Sequence, residues 1–291
     1  TFLLNVFRVP RAHVFTAIAN EKQKELVQQF FADLNKWTVE HNFYKGQKID
    51  ARGRFLNLAD VSEADLVLAD DIKRELFRNV KQMVEKWEEY ARFNIPGKRG
   101  VIMAGPPGNG KSLSLKVLAK MLDCTFLWCT PRHLAEMDGF SEIFQFAREL
   151  APTVLMIEDA DVFGLDRRLG NFNPMLGELL NCMDGFEENK GVVTVLTSNY
   201  AEMLDSALTN RPGRFDTKLI IGPPDAAKGV EIIRRTMEKR QVVYSGDPGA
   251  LRAAAQQLAE VSASGAYIVE MVTYAQTLAV ERGRGAAGRL R

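Results

Sequence analysis

The stretch Gly100-Val101-Ile102-Met103-Ala104-Gly105-Pro106-Pro107-Gly108-Asn109-Gly110-Lys111-Ser112 runs from an apolar segment, through a glycine-rich loop, into a helical pattern beginning near Lys111. Its last eight residues fit GxxxxGK[ST], a phosphate loop lying between strand and helix, where its mechanism requires it. The glycines let the backbone curl so that successive N–H groups point inward at phosphate oxygens. The helix N-terminus adds the positive end of its dipole. Pro107, Gly108, Asn109, Gly110, Lys111, Ser112 and Leu113 are the candidate cradle. Lys111 is suited to the β and γ phosphates and the Ser112 hydroxyl to a Mg²⁺ ion, so a nucleotide phosphate chain and Mg²⁺ are the expected ligands.

Outward from this loop, short apolar runs at residues 100–104, 125–129, 154–157, 192–196 and 219–221 alternate with helical patterns. Such alternation predicts a parallel sheet covered on both faces. After Pro223-Pro224-Asp225, residues 225–239, 248–261 and 265–281 read as three helices with no strand between them. Upstream, residues 16–44 read as one or two helices and residues 43–58 as a short β-ribbon. Residues 60–66 read as an acidic linker, and 69–93 as a helix carrying Ile72, Leu76, Val80, Met83, Val84 and Trp87 on one face. The expected divisions are an N-terminal α+β region at 1–65, an α/β nucleotide-binding subdomain at 66–224, an all-α lid at 225–282 and a flexible tail at 283–291.

The 291 residues carry 38 Lys+Arg against 37 Asp+Glu, with 46% apolar and 26% charged residues, which excludes wholesale disorder and a small disulfide scaffold. The near-zero net charge gives no global reason to expect nucleic acid or an anionic membrane. Cys124, Cys129 and Cys182 form no CxxC pair, so buried reduced thiols in a reducing, cytoplasmic compartment are expected. No apolar stretch approaches the roughly 18 residues a membrane span needs. The chain starts at Thr1, which leaves room for an anchor upstream.

Three further motifs follow, the first two at the sheet's carboxyl edge. The run Val154-Leu155-Met156-Ile157-Glu158-Asp159 ends a strand on adjacent acids, one suited to Mg²⁺ and the next to a water. Read alone, it is equally a strand ending in solvated acids. Val195-Leu196-Thr197-Ser198-Asn199 ends a strand on an amide suited to both water and γ-phosphate, and alone is a turn signal. In Asn210-Arg211-Pro212-Gly213-Arg214-Phe215-Asp216, two arginines bracket a tight turn; they are phosphate donors or solvated surface charges.

In this order the four elements resemble the AAA family of ATPases, over about residues 66–282. The resemblance implies a P-loop NTPase domain with a helical lid. It assigns phosphate and Mg²⁺ binding to Lys111 and Ser112, the Mg²⁺-associated acid to Glu158, the catalytic acid to Asp159 and sensor 1 to Asn199. Arg211 and Arg214 match arginine fingers that act on a neighbouring protomer, and Gly265 and Ala266 match the lid segment near the base. Leu68 to Asp71, with Asp70 among them, lies where the family packs backbone against adenine. Glu158-Asp159 inverts the usual Asp-Glu order, as in the subgroup that includes the mitochondrial translocase maturing the Rieske protein, and Asp159 is one methylene shorter than the usual base. The family's pore loop aligns with Glu136-Met137-Asp138, with Phe140 close by, although core packing accounts equally for Met137 and Phe140.

The resemblance implies a homo-oligomeric ring, a hexamer, that hydrolyses ATP to remodel or move a protein. Two alternatives stand beside it. One is a nucleic-acid-directed motor or loader using Arg52, Arg54, Lys98, Arg99 and the Arg-rich tail. The other is a nucleotide-gated scaffold with feeble hydrolysis.

Overall fold

The computed structural model describes residues 3–9, 12–93, 95, 97–137, 139–163, 174–184, 189–200, 214–244, 246–281 and 289–290. Contacts divide the chain into two units, Thr1–Lys45 and Gly46–Arg291.

In the first unit, β1 (Leu3–Val9) and β2 (Ala12–Ile18) form an antiparallel hairpin, paired from Leu3–Ile18 to Val9–Ala12. Residues 16–18, expected as helix, are strand; the β-branched and aromatic run Val14-Phe15-Thr16 favours the pleat. Helix α1 (Lys24–Glu40) follows, with Val27, Phe30, Phe31 and Leu34 half-buried on one side and no residue fully buried.

The second unit is built on a six-stranded parallel sheet. Its strands are β3 (Lys48–Asp50), β4 (Arg99–Ala104), β5 (Thr125–Cys129), β6 (Thr153–Ile157), β7 (Val192–Ser198) and β8 (Phe215–Ile220). The spatial order is β3-β5-β6-β7-β4-β8. β5, β6 and β7 are buried along their whole length, which is why they read as unbroken apolar runs. Successive side chains point to opposite faces. Val101, Met103, Phe126, Val154, Met156 and Val195 therefore meet one set of helices: α2 (Asp70–Leu76), a π-turn (Phe77–Lys81), α3 (Gln82–Glu85) and α5 (Lys111–Met121). α4 (Trp87–Arg92) leads back to β4. Among the described residues this part also contains the α-helices α6 (Pro131–Glu136), α7 (Phe140–Glu149) and α8 (Pro174–Asp184), with α7 packed on α8 and β6.

Two segments depart from expectation. The β-ribbon at 43–58 is reduced to one antiparallel bridge, Ile49–Phe55. Lys48–Asp50 instead extends the parallel sheet, pairing with Phe126–Trp128. The cause is local: Asp50 accepts the N–H groups of Arg52 and Arg54 and turns the chain at once, while Ile49 is fully buried in the sheet. Leu56, Leu58 and Val61 then pack on the main core, so residues 46–65 belong with the sheet rather than with the amino-terminal unit.

The lid consists of α9 (Ala226–Lys239), α10 (Pro248–Glu260) and α11 (Gly265–Glu281), with a core of its own around Ile233, Ala255, Leu258, Ile268 and Val272. Asp225 caps α9 by accepting Lys228 N–H at 2.7 Å, and Asp247 caps α10 through Gly249 N–H at 2.9 Å. No strand was expected here, yet β9 (Val243–Tyr244) pairs in parallel with β10 (Arg289–Leu290) from the tail.

β4 and β8 run close together at Gly100, where an added Cβ would lie 2.1 Å from the Arg214 carbonyl oxygen. Backbone on both sides leaves no side chain to yield. Gly100→Ala should therefore lower stability by about 2 kcal/mol or more in denaturant unfolding. An unchanged midpoint would show that the strands separate freely here.

Candidate functional site

Parallel strands aim their carboxyl ends at one edge, and the sheet order sets what meets there. β7 lies between β4 and β6, so Asn199 stands between the phosphate loop that follows β4 and the acids that follow β6. The loop is shaped by Gly105, Gly108 and Gly110, with φ of 143°, 77° and 93°. These values suit glycine and let the chain curl around an anion.

Lys111 is 7% exposed. Its Nζ donates to the carbonyls of Gly105 (2.6 Å) and Pro106 (3.1 Å) and to Asn199 Oδ1 (2.9 Å). Burial pushes its ammonium below its ordinary pKa, while the charges of Asp159 and Asp161 pull the other way. Ser112 Oγ donates to Glu158 Oε1, and Trp128 Nε1 donates to Glu158 Oε2 at 3.1 Å. The Glu158 backbone N–H is bound to the Cys129 carbonyl at 2.8 Å.

Asp159 has φ 48°, a left-handed conformation uncommon outside glycine and tolerated better by Asp than by most residues. Its N–H donates to Thr197 Oγ1 at 3.1 Å, and Asn199 Nδ2 approaches Asp159 Oδ1 at 3.4 Å. Asn199 N–H is held by Asp161 Oδ1 at 3.0 Å. Burial raises the Asp159 carboxyl above its ordinary value, Glu158 and Asp161 add to the rise, and Asn199 and Lys111 oppose it. A carboxylate raised in this way holds a proton better, as a general base requires.

Pro107 to Leu113, Glu158, Asp159, Asn199, Gly265 and Ala266 line one cleft of about 800 Å³. The lid joins it directly: Ala266 N–H donates to Gly108 O at 2.8 Å and Gly265 N–H to Asn109 Oδ1 at 3.2 Å. A Cβ on Gly108 would lie 3.0 Å from Ala266 Cβ, so this contact also needs glycine.

Other expected residues are placed elsewhere. Asp70 is outside the cleft, whose wall is Asp65 to Leu68; it pairs with Lys228 at 3.4 Å. Arg214 is 6% exposed, and its guanidinium is held at two points by Asp184, which ties the start of β8 to the end of α8 instead of presenting a finger outward. Arg211 lies outside the described residues, as does Asp138. Phe140 is fully buried at the start of α7, so core packing accounts for it; Glu136 pairs with Arg52 and Arg132, and Met137 is half-buried.

Sequence reasoning missed Trp128, Thr197 and Asp161, whose roles arise only when strands meet. It also missed the lid residues Ile232, Arg235, Thr236, Lys239 and Arg240 that line the cleft. Their spacing marks one helix face, which is the only signal that could have found them.

Four of the basic residues that kept a nucleic-acid role open have partners within the fold, while most of the Arg-rich tail lies outside the described residues. Arg52 pairs with Glu136, Arg54 with Asp50, Lys98 with the Met183 carbonyl and Arg99 with Asp216. Cys124 and Cys129 are buried free thiols, with pKa values pushed up by burial to about 11 and about 12. No helix among the described residues is long and apolar enough to cross a membrane.

Residues 101–223 match the family model "ATPase family associated with various cellular activities (AAA)". The chain is 33% identical over 201 residues to the ATPase family gene 2 protein of Saccharomyces cerevisiae, covering 66% of this chain and 26% of that protein. It is 30% identical over 220 residues to the ATP-dependent zinc metalloprotease FtsH 1 of Petrotoga mobilis (71% and 33%). It is 32% identical over 237 residues to FtsH 2 of Symbiobacterium thermophilum (77% and 39%). The chain thus spans between about a quarter and two fifths of the length of these relatives. It contains an AAA ATPase domain, a nucleotide-binding P-loop hydrolase.

Titration of the Asp159 carboxyl followed by NMR should give a midpoint above the ordinary aspartate value of 3.8. Asp161→Asn removes one of the charges that raise it, so the midpoint should fall, while the Asn199 N–H keeps an acceptor. A midpoint at or below the ordinary value would contradict this electrostatic account.

Proposed function

We propose that this AAA ATPase domain is a Mg²⁺-dependent ATP hydrolase working as a homo-oligomeric ring, a hexamer, that remodels or translocates a protein. The observation that carries the catalytic part is the convergence of two hydrogen-bonded sets on one cleft. Lys111, Asn199 and Asp159 form one, and Ser112 and Glu158 the other. The Ser112 hydroxyl and Glu158 carboxylate are hard oxygen donors in mutual contact, which suits Mg²⁺. A Mg²⁺ ion held there would supply positive charge to offset the negative charge building on phosphate oxygens.

The chain's own groups then divide the work. In the cradle from Pro107 to Leu113, the backbone N–H groups from Gly108 onward face the phosphates, Pro107 having none to give. The Lys111 ammonium leaves its carbonyl partners to bind phosphate oxygen, and Asn199 orients the attacking water. Asp159 takes the proton from that water as the water oxygen bonds to the γ-phosphorus and the bond from that phosphorus to the β–γ bridging oxygen breaks, ADP leaving with the electron pair. Its backbone conformation turns a short side chain toward Asn199, which offsets the missing methylene.

Arg211 completes the site of a neighbouring protomer, while Arg214 fixes the β8–α8 junction through Asp184. The Glu158-Asp159 order and the stretch KWEEYARFNIPGKRGVIMAGPPGNGKS support placement beside the subgroup containing the Rieske-protein translocase. A protein substrate is favoured over nucleic acid because Arg52, Arg54, Lys98 and Arg99 are engaged internally. The FtsH relatives are named as ATP-dependent zinc metalloproteases. Only the ATP-dependence is taken over here. The unpaired thiols fit a reducing, cytoplasmic compartment.

ATPase rate measured against protein concentration tests the ring. Specific activity should rise with concentration, and Arg211→Ala should lower kcat by roughly 10³-fold or more. Arg214→Ala should lower the melting temperature instead. Asp159→Asn should retain ATP binding and lose turnover. Turnover that is independent of concentration and survives Arg211→Ala would overturn the oligomeric reading.

A further inference from the structure

The acid at position 158 is a glutamate where the family pattern has an aspartate, so its carboxylate stands on a longer and looser arm. One additional methylene adds a rotatable bond, and an arm with more rotamers aims less well unless something holds it. In this structure both oxygens are held, by different elements. Ser112 Oγ, at the start of α5, donates to Oε1, and Trp128 Nε1, on β5, donates to Oε2 at 3.1 Å.

Trp128 is well built for the task. It is 7% exposed and rests against Phe126, with ring centroids 6.2 Å apart. Lys116 Nζ lies 5.7 Å from the ring centroid. The indole nitrogen is a donor only and does not titrate in the physiological range. It therefore binds the carboxylate in one sense at every working pH. The backbone reinforces the pair, because the Glu158 N–H is bound to the carbonyl of Cys129, the residue after Trp128. The carboxylate is fixed by β5 at its main chain and at its far oxygen, which leaves Oε1 aimed at Ser112.

We propose that Trp128 is a positioning residue for the Ser112–Glu158 pair, compensating for the extra length of Glu158 and thereby setting the affinity of the site for Mg²⁺. The proposal rests on the assignment of Mg²⁺ to that pair. It gives Trp128 a second consequence: its indole reports occupancy of the site. When Ser112 and Glu158 turn to a cation, the electron density at Oε2 changes, and so does the environment of the N–H bound to it.

The test has two arms on the full chain. In a Trp37→Phe/Trp87→Phe background, Trp128 is the only tryptophan left of Trp37, Trp87 and Trp128. Its emission is followed while Mg²⁺ is added to protein saturated with ATP in EDTA. A saturable change in emission is expected, and it should disappear with Glu158→Gln. In the second arm, Trp128→Phe keeps a ring and removes the donor. The midpoint for Mg²⁺ should weaken about tenfold or more, the range typical for loss of an outer partner of a ligand. ATP affinity in EDTA should stay within about twofold. Placed on Glu158→Asp, whose shorter arm no longer needs the indole, Trp128→Phe should add less than about twofold.

An emission change that persists in Glu158→Gln overturns the proposal. So does an unshifted Mg²⁺ midpoint in Trp128→Phe, or an equal loss in the Glu158→Asp background. If the parent protein shows no saturable response to Mg²⁺ by any probe, the assignment of the ion fails instead. The fluorescence arm leaves residue 128 intact, so it stands even if Trp128→Phe folds poorly.

Discussion

The Lys111 ammonium binds the carbonyls of Gly105 and Pro106 and the amide oxygen of Asn199, and the site is arranged around that buried charge. A buried ammonium is costly unless its donors are met. Here backbone dipoles and an amide meet them without a carboxylate in direct contact. Asp159 and Asp161 act on it as nearby charges only. Lys111 is thus held in place without being neutralised, and its positive field remains available to an anion. The same contact joins the end of β4 to the end of β7. The sheet order, with β7 between β4 and β6, is thus what brings Lys111, Asn199 and Asp159 together.

The parts that were legible in the sequence are those in which one chain segment carries its own explanation. The loop from Gly105 to Ser112 is specified by glycines that must take positive φ, and the buried strands by unbroken apolar runs. The three lid helices follow one another after Pro223-Pro224-Asp225 with no strand between them, whereas the capping by Asp225 and Asp247 is a finding of the structure. What stayed hidden depends on partners distant in sequence. Trp128 reads as one more core aromatic until β5 and β6 are set side by side. Lys48-Ile49-Asp50 reads as half of a ribbon until its parallel partner on β5 is known. Arg214 reads as a free cation until Asp184 arrives 30 residues upstream.

Charge illustrates the same division. A sequence reports how many basic residues there are; it does not report which are already spent. Arg52, Arg54, Lys98 and Arg99 look like a dispersed cationic surface, yet each is bound within the fold. The lid cations are the reverse case: Arg235 and Arg240 read as ordinary helix surface and in fact line the cleft.

The lid meets the α/β part of the second unit through unequal ties. Ala266 and Gly265 bind Gly108 and Asn109, and Lys239 binds Asp65 and the Asp60 carbonyl. The Lys228–Asp70 pair involves an 84%-exposed carboxylate, and pairs of that kind contribute little. The tie at Ala266 is of another kind: it joins the first turn of α11 to the phosphate loop through a main-chain hydrogen bond to Gly108, so the position of the loop is passed to the lid by backbone rather than by a flexible side chain.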